Sequence, residues 1–201
     1  MPPGDLLSVR REGDVASVLL SRPPLNILNL AMMEALGSQF DRLASDGGVG
    51  AVVLESALPD VFSAGADVRE HLPASAERLI GTLERLVLQI IAFPRPTVAV
   101  VRGRCLGGGM ELAMACDFVL ASDRATFGQP EVSVGVFPPL ATALYPRLVG
   151  LRRTYDVVLT GRTLTAAEAA SMGFVTSVHR VDELDAARRN LLDALTSKSR
   201  S

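Results

Sequence analysis

Short apolar runs alternate with longer amphipathic segments along this chain. Ala51–Ser56 and Val98–Val101 are rich in β-branched residues, which is the pattern of buried strands. Leu6–Arg10 and Val15–Leu20 flank a Glu-Gly-Asp turn and predict a β-hairpin. Ser122–Phe127 predicts one further short strand. The chain is therefore predicted to contain a sheet that begins with a hairpin.

Five segments predict helices, because their apolar residues recur at helical spacing. They are Leu30–Leu43, Ser75–Phe93, Leu151–Leu159, Thr165–Met172 and Val181–Ser197. Thr165 and Glu168 form a capping-box pattern at the start of the fourth. Strand, small-residue loop and helix follow one another repeatedly, which is typical of an α/β protein.

Three glycines, Gly107, Gly108 and Gly109, stand between the strand that ends at Val101 and a helical run, Met110–Cys116. Glycine lets a backbone approach a ligand closely, and the first N–H groups of a helix have no partner within it. The helix dipole places a partial positive charge behind them. The turn predicts a receptor for an anion or oxyanion; a tight turn that serves only close packing is the alternative.

A second loop of small residues follows the strand Ala51–Ser56. Ala64, Gly65 and Ala66 leave room for backbone N–H groups to reach a substrate, and Asp67 is suited to cap the turn that follows. Two backbone donors that converge on one carbonyl oxygen form an oxyanion hole. Such a donor is worth roughly 3 kcal/mol in other enzymes.

Composition narrows the class of protein. The 201 residues are 48% hydrophobic and 21% charged, as in an ordinary globular domain, so a single domain over residues 1–201 is predicted. The net charge of −2 gives no electrostatic case for binding nucleic acid or an anionic membrane. Without a membrane-length apolar run or a signal-peptide pattern, a cytoplasmic location is predicted.

The cysteines and histidines do not predict a metal site. Cys105 and Cys116 are interpreted as small buried apolar residues, with a disulfide or metal site as the alternative. His71, close to the second loop, is interpreted as a surface residue, with a substrate contact as the alternative. Two histidines without a Cys/His cluster provide no set of zinc ligands.

Three motifs follow one another along the chain: Phe62-Ser-Ala-Gly-Ala-Asp67, Leu106-Gly-Gly-Gly-Met-Glu-Leu-Ala-Met-Ala-Cys-Asp117 and Phe127-Gly-Gln-Pro-Glu131. Together they resemble the enoyl-CoA hydratase/isomerase (crotonase) family, and the resemblance spans nearly the whole chain. It implies an α/β fold built as a crotonase-like spiral of ββα units. It also implies an acyl-CoA thioester substrate without a separate cofactor, because coenzyme A is part of that substrate.

The resemblance also implies roles for individual positions. The N–H groups of Ala66 and Gly108 correspond to the oxyanion hole. Substrate or CoA contacts are implied for the neighbouring residues Ala64, Gly65, Asp67, Val68 and Gly107. In the loop Ser21–Leu28, Arg22 and Leu25 are candidate CoA contacts; a solvated loop residue is the alternative for Arg22.

Two glutamates are candidates for acid–base chemistry. Glu111 lies in the first turn of its predicted helix, and Glu131 precedes the apolar Val132 and Val134. A carboxyl group in apolar surroundings has a raised pKa, which suits proton transfer near neutral pH. A helix-start acid placed for the dipole is the alternative for each. Both match the catalytic glutamate pair of hydratases, which implies that Glu131 protonates Cα and Glu111 activates water.

The segment Val136–Pro146 departs from the family pattern, which has paired glycines after the proline. Pro139 cannot donate a hydrogen bond, and its bulkier neighbours are expected to reshape the acyl pocket. The run Gly135-Val-Phe-Pro-Pro139 resembles cyclic dienoyl-CoA hydratases. Hydration of straight-chain enoyl-CoA is the broader prediction.

The chain stops at Ser201, where family members usually continue through helices that cover the site and pack in a trimer. We therefore expect these C-terminal helices to be missing, and a homotrimer or hexamer if they are present. The resemblance implies a hydratase because both glutamates are retained. The alternatives are a protein of this fold that binds acyl-CoA or a partner without catalysis, and an enoyl-CoA isomerase.

Overall fold

Two β-sheets organise the fold, and the computed structural model describes residues 6–67 and 76–197. The strands are β1 (Leu7–Glu12), β2 (Val15–Leu20), β3 (Ala51–Ser56), β4 (Val61–Ser63), β5 (Thr97–Val101), β6 (Arg104–Leu106), β7 (Phe118–Ser122), β8 (Thr126–Gly128), β9 (Thr163–Thr165) and β10 (Ser177–His179). The helices are α1 (Leu30–Ser45), α2 (Ala76–Ile91), α3 (Gly108–Ala115), α4 (Pro139–Val149), α5 (Leu151–Val158), α6 (Ala166–Met172) and α7 (Leu184–Thr196), with a 3-10 helix at Pro130–Val134. Within these ranges no helix is long and apolar enough to cross a membrane.

The first sheet has six strands in the order β1-β2-β3-β5-β7-β10. β1 and β2 form the predicted antiparallel hairpin, and every other pair is parallel. Its central strands are continuous apolar runs because both faces are covered. Val18 and Leu54 pack with α1, α2 and α3, whereas Val53 and Val98 face α7 through Leu192.

The second sheet has four strands in the order β4-β6-β8-β9, and only β9 is antiparallel to its neighbour. β3, β5 and β7 of the first sheet are each followed by a strand of the second, β4, β6 and β8, and then by a helix. This repetition is the predicted spiral of ββα units. Because β4, β6 and β8 are parallel neighbours, the loops that follow them emerge at one edge of the second sheet.

Several local predictions are confirmed. β3 has the predicted bounds, and α6 begins with a capping box in which Thr165 and Glu168 exchange side-chain and backbone hydrogen bonds. Cys105 and Cys116 are buried free thiols. These features are set by neighbouring residues or by simple burial, which sequence patterns report directly.

The predicted strand Ser122–Phe127 is wrong. β7 ends at Ser122, and a turn closed by the Ala125 N–H on the Ser122 carbonyl leads into β8 in the other sheet. The charged residues Asp123 and Arg124 are exposed at this turn, whereas Ser122 and Phe127 on either side are buried. Two strands in different sheets are therefore separated here by only a few residues.

Two further elements differ from the predictions. α3 begins at Gly108 rather than Met110, because Gly107 takes a φ of +54° and accepts a hydrogen bond from the Glu111 N–H. α4 has no counterpart among the predicted helices; its segment contains Pro138, Pro139 and Pro146, and proline is disfavoured inside helices. Pro139 instead occupies the first helical turn, where its missing N–H costs nothing.

Gly109→Ala is expected to destabilise the protein by about 1–3 kcal/mol, the cost of overpacking. A Cβ atom at position 109 would lie 2.6 Å from Ser63 Cβ and 2.8 Å from its carbonyl oxygen in β4. Gly81→Ala in α2 is the matched control, because its Cβ would meet no atom within 4 Å, and it should stabilise by up to about 1 kcal/mol. Urea unfolding measures both, and equal effects would contradict the close packing of α3 on β4.

Candidate active site

A cavity of about 460 Å³ opens at the edge of the second sheet where the loops after β4, β6 and β8 meet. Its walls come from these loops, from α2 and from the start of α4. The lining residues are Ala64, Gly65, Ala66, Ile80, Leu83, Gly107, Gly108, Glu111, Pro130, Glu131, Ser133, Val134, Val136, Phe137, Pro138, Pro139 and Leu140. A mostly apolar cavity with a few converging polar groups is the usual form of a ligand site.

The glycine turn places one backbone donor at this cavity. Gly107 anchors the turn through its N–H to the Gly128 carbonyl, and its left-handed φ lets α3 start immediately after it. Gly108 is the first residue of α3, so its N–H has no acceptor within the helix. Within residues 6–67 and 76–197 no acceptor is recorded for it.

The loop after β4 places a second donor there. The Leu28 N–H bonds to the Gly65 carbonyl, and the Asp67 N–H bonds to the Leu28 carbonyl, so Ala66 forms a parallel bridge with Leu28. In such a bridge the N–H of the central residue faces away from the partner strand. The Ala66 N–H therefore faces away from Leu28, and it has no recorded acceptor in the part of the chain described.

Glycine at position 65 allows the two loops to approach. Gly65 has a φ of +96°, and a Cβ atom there would lie 3.1 Å from the Leu106 carbonyl oxygen and 3.3 Å from the Gly108 nitrogen. A Cβ atom at Gly108 would lie 3.4 Å from the Ala66 nitrogen. The amides of Ala66 and Gly108 are thus neighbours on one wall of the cavity.

Glu111 is buried at the start of α3, with 3% of its surface exposed. Its Oε1 accepts a hydrogen bond of 2.8 Å from the Ala141 N–H in the first turn of α4. Burial, reinforced by the charge of Glu131, outweighs that hydrogen bond and raises the pKa of Glu111 to about 8. Glu111 is therefore a carboxyl group that can hold or release a proton near neutral pH.

Glu131 lies in the first turn of the 3-10 helix, and burial raises its pKa as well. Its Oε1 lies over the glycine turn: a Cβ atom at Gly107 would come within 2.5 Å of it. Its Oε2 is buried and has no hydrogen-bond partner among the residues described. This raised pKa agrees with the predicted desolvation of Glu131, although the side chains of Val132 and Val134 are 42% and 65% exposed.

The loop Ser21–Leu28 supports the site without lining the cavity. Asn26 is fully buried with a φ of +47°, and its Nδ2 donates to Ser56 Oγ at 2.7 Å and to the Phe62 carbonyl at 2.9 Å. The Arg22 guanidinium donates to the Ile27 carbonyl within the same loop. The loop is thereby fixed against β3 and β4.

The predicted site residues fall into three groups. The cavity brings together seven of them: Ala64, Gly65, Ala66, Gly107, Gly108, Glu111 and Glu131. Arg22, Leu25 and Asp67 do not line it; the Leu25 carbonyl accepts from the Ala64 N–H, and Asp67 is 5% exposed. Val68 and His71 lie outside the described residues, as does the turn that Asp67 was predicted to cap.

Several residues of the site were not predicted from the sequence. Ile80 and Leu83 form a wall because α2 returns over the glycine turn, and nothing in its periodic pattern separates them from core leucines. The Ala141 N–H supplies the hydrogen bond to Glu111, although the neighbouring Pro139 has no N–H to donate. A proline at the start of α4 was the available signal, since it is preorganised for a first helical turn.

The chain matches the family model described as enoyl-CoA hydratase/isomerase over residues 10–201. It belongs to the enoyl-CoA hydratase/isomerase family. The sequence motifs and the ββα spiral agree with this assignment. Its similarity to an enoyl-CoA hydratase from Bacillus anthracis extends over 97% of this chain and 78% of that one, with a TM-score of 0.93 and 28% identity.

Named relatives of this crotonase-family chain include two bacterial hydratases. It is 35% identical to a cyclohexa-1,5-dienecarbonyl-CoA hydratase of Thauera aromatica over 83% of this chain and 64% of that protein. It is 37% identical to a probable enoyl-CoA hydratase of Rhizobium meliloti over 90% of this chain and 71% of that protein. The chain thus spans roughly two thirds of the length of these relatives.

The free energy of unfolding is expected to fall as the pH rises from about 5 to 8. In this range folded Glu111 keeps a proton that it has lost in the unfolded chain, because its folded pKa of about 8 exceeds the ordinary 4.5. Glu111→Gln should flatten this slope and be more stable than the unaltered chain at pH 8, by on the order of a few kcal/mol. Urea unfolding across this pH range measures the slope.

Glu84→Gln is the matched control, because Glu84 is exposed on α2. It should leave the slope of unfolding free energy against pH unchanged. If Glu111→Gln also leaves that slope unchanged, Glu111 does not hold a proton in the folded protein at neutral pH.

Proposed function

We propose that this protein adds water across the α,β-double bond of an enoyl-CoA thioester. The observation that carries this proposal is the meeting of buried Glu111 and half-buried Glu131 at one apolar cavity with two backbone N–H groups that have no recorded acceptor among the described residues. Water addition needs a base at one carbon, an acid at the next and stabilisation of negative charge on the carbonyl oxygen. The family assignment supports this chemistry.

The N–H groups of Ala66 and Gly108 are proposed as the oxyanion hole. As water attacks Cβ, electrons of the double bond shift toward the thioester and place negative charge on its carbonyl oxygen. Donors already fixed in the loops stabilise this charge without reorganising. The dipole of α3 acts in the same direction, because Gly108 is its first residue.

Glu111 and Glu131 are proposed to work as a pair that holds one proton. Because burial raises the pKa of Glu111 to about 8, the substrate-free protein holds this proton on Glu111, and the proton passes to Glu131 before the reaction. Ionised Glu111 then accepts a proton from water as the oxygen bonds to Cβ, and neutral Glu131 delivers its proton to Cα as the carbonyl re-forms. The Ala141 N–H favours the ionised form of Glu111. The two carboxyl groups repel when both are ionised. The pKa values observed for their titration therefore describe the pair rather than either residue alone. Exchange with solvent then restores the starting protonation.

The proposal also concerns the identity of the substrate's acyl group. The run from Val136 to Leu140 forms an apolar wall, and Phe137 at the cavity mouth is 59% exposed. Straight-chain enoyl-CoA is the general substrate that we propose. A cyclic dienoyl-CoA is the second candidate, favoured by the 35% identity to the Thauera hydratase of that name.

Turnover tests the hydratase against the remaining alternatives. Loss of enoyl-thioester absorbance, measured with crotonyl-CoA and with a cyclic dienoyl-CoA, reports hydration directly. Binding of both esters without turnover would favour the non-catalytic acyl-CoA-binding protein, and a double-bond shift without hydration would favour the isomerase. The homotrimer, the cytoplasmic location and the CoA contacts of Arg22 and Leu25 stay predictions.

Gly108→Pro is expected to lower kcat by about 10²–10³-fold, the effect of removing one oxyanion donor. Proline is compatible with the first position of α3 but has no N–H. Gly108→Ala is the matched control. Its Cβ atom meets the same neighbours as the Cβ atom of proline, with Leu83 at 3.2 Å, but alanine retains the N–H group. Equal kcat in two folded variants would show that this N–H does not act in turnover.

Glu111→Gln and Glu131→Gln are expected to slow hydration by about 10²–10⁴-fold each, as loss of a general acid or base does. Exchange of the Cα proton of a saturated acyl-CoA with deuterated water separates their roles. It should survive in part in Glu111→Gln and disappear in Glu131→Gln, because that step needs only Glu131 and the oxyanion hole. The reverse pattern would exchange the two roles, and full activity in both variants would leave them as structural helix-start acids.

A further inference from the structure

A buried polar pair lies directly behind Glu131. Tyr145 of α4 and Gln129, which precedes the 3-10 helix, are both fully buried. The Tyr145 hydroxyl donates to Gln129 Oε1 at 2.9 Å, and Gln129 Nε2 lies 3.4 Å from Glu131 Oε1. The three side chains form a hydrogen-bonded row that ends at the carboxyl group assigned above as the proton donor.

The phenol determines which way the Gln129 amide points. A buried tyrosine is a proton donor that needs an acceptor, and Gln129 Oε1 is the acceptor recorded for it in the described ranges. If the amide were turned over, its NH₂ group would face the phenol and the phenol proton would lose this acceptor. The Tyr145 hydroxyl therefore holds Nε2 toward Glu131.

This orientation matters for the location of the proton on Glu131. An N–H donor on Oε1 requires that oxygen to be an acceptor, so the proton of neutral Glu131 resides on Oε2. Oε2 is the oxygen that is buried without a partner among the residues described. A turned amide would instead present its oxygen to Glu131 and draw the proton onto Oε1.

We propose that Tyr145 is a positioning residue that acts through Gln129 to keep the acidic proton of Glu131 on Oε2. This inference rests on the proposed function, in which Glu131 protonates Cα. Packing alone does not require the hydroxyl, because the ring of Tyr145 stacks edge-on against Phe174 at 5.0 Å, a contact that phenylalanine would keep. The recorded partner of the hydroxyl is Gln129, and Gln129 in turn contacts Glu131.

Among the described residues, Tyr145 and the titratable groups that interact with it and with Glu131 come from three further positions in the fold. Glu111 lies on α3, Cys105 on β6 and Tyr145 on α4. Burial raises the pKa of both Cys105 and Tyr145, so both stay neutral near pH 7. Glu111 is the neighbour that titrates in the same range, and Glu111→Gln removes its contribution from the measurement.

Tyr145→Phe tests this inference in the Glu111→Gln background. The readout is the ¹³C-carboxyl titration of Glu131, whose resonance is assigned by its loss in Glu131→Gln. The variant should raise the Glu131 pKa by about half to one unit, the size expected for one hydrogen bond, because a turned amide favours the neutral acid. In the chain with Glu111 intact, Tyr145→Phe should lower kcat severalfold with little change in KM.

Two controls separate this role from a structural one. Tyr155→Phe, on a tyrosine that is 50% exposed on α5, should change neither the pKa nor kcat. In a Gln129→Leu background, Tyr145→Phe should have no further effect on either, because the side chain through which it acts is gone. Thermal unfolding shows that each variant is folded.

An unchanged Glu131 pKa in Tyr145→Phe would overturn the inference. An undiminished effect in the Gln129→Leu background would overturn it as well, since Tyr145 would then act by packing. The titration needs no turnover, so it remains readable if the protein hydrates no enoyl-CoA. Failure of the proposed function would appear as absent hydration by the unaltered chain, whereas failure of this inference would leave that hydration intact.

Discussion

The close approach of two backbone loops is the constraint on which the site depends. Gly65 and Gly108 lie so near each other that a Cβ atom on Gly65 would come 3.3 Å from the Gly108 nitrogen. This contact leaves the N–H groups of Ala66 and Gly108 side by side, and neither has a recorded acceptor within residues 6–67 and 76–197. Backbone donors are rigid, so a site built from them needs no side chain to move before it stabilises charge.

The ββα spiral makes that approach possible. Each turn of the spiral sends one strand into each sheet, so β4, β6 and β8 lie side by side although long stretches of sequence separate them. The loops after these strands carry the two donors and Glu131, and α3 carries Glu111. Packing of α3 against β4 holds the arrangement together, and a Cβ atom at position 109 would overlap Ser63.

Two acids that are partly or fully removed from water, half-buried Glu131 and buried Glu111, make the site costly to fold. Burial raises the pKa of Glu111 and of Glu131, so each favours its neutral form more than it would in water. The same desolvation brings their proton affinity into the range that acid–base chemistry needs. Hydrogen-bond partners adjust the proton affinity of each glutamate. The partner of Glu111 is the Ala141 N–H, and the partner of Glu131 is Gln129, which is held by Tyr145.

The sequence alone determined the family, the order of most elements and seven residues of the cavity. Glycine turns, capping residues and β-branched runs act over a few positions, so β3, α6 and the turn at Gly107 could be predicted locally. The tertiary structure decided where the chain changes sheets after Ser122, that a proline-rich segment forms α4, and which groups contact each glutamate. Tyr145 is 14 positions from Glu131 in sequence. Its hydrogen bond to Gln129 depends on the packing of α4 behind the 3-10 helix, which the sequence does not show. Such contacts depend on how distant segments are brought together, and a hydrophobic pattern along one segment carries no record of its neighbours in space.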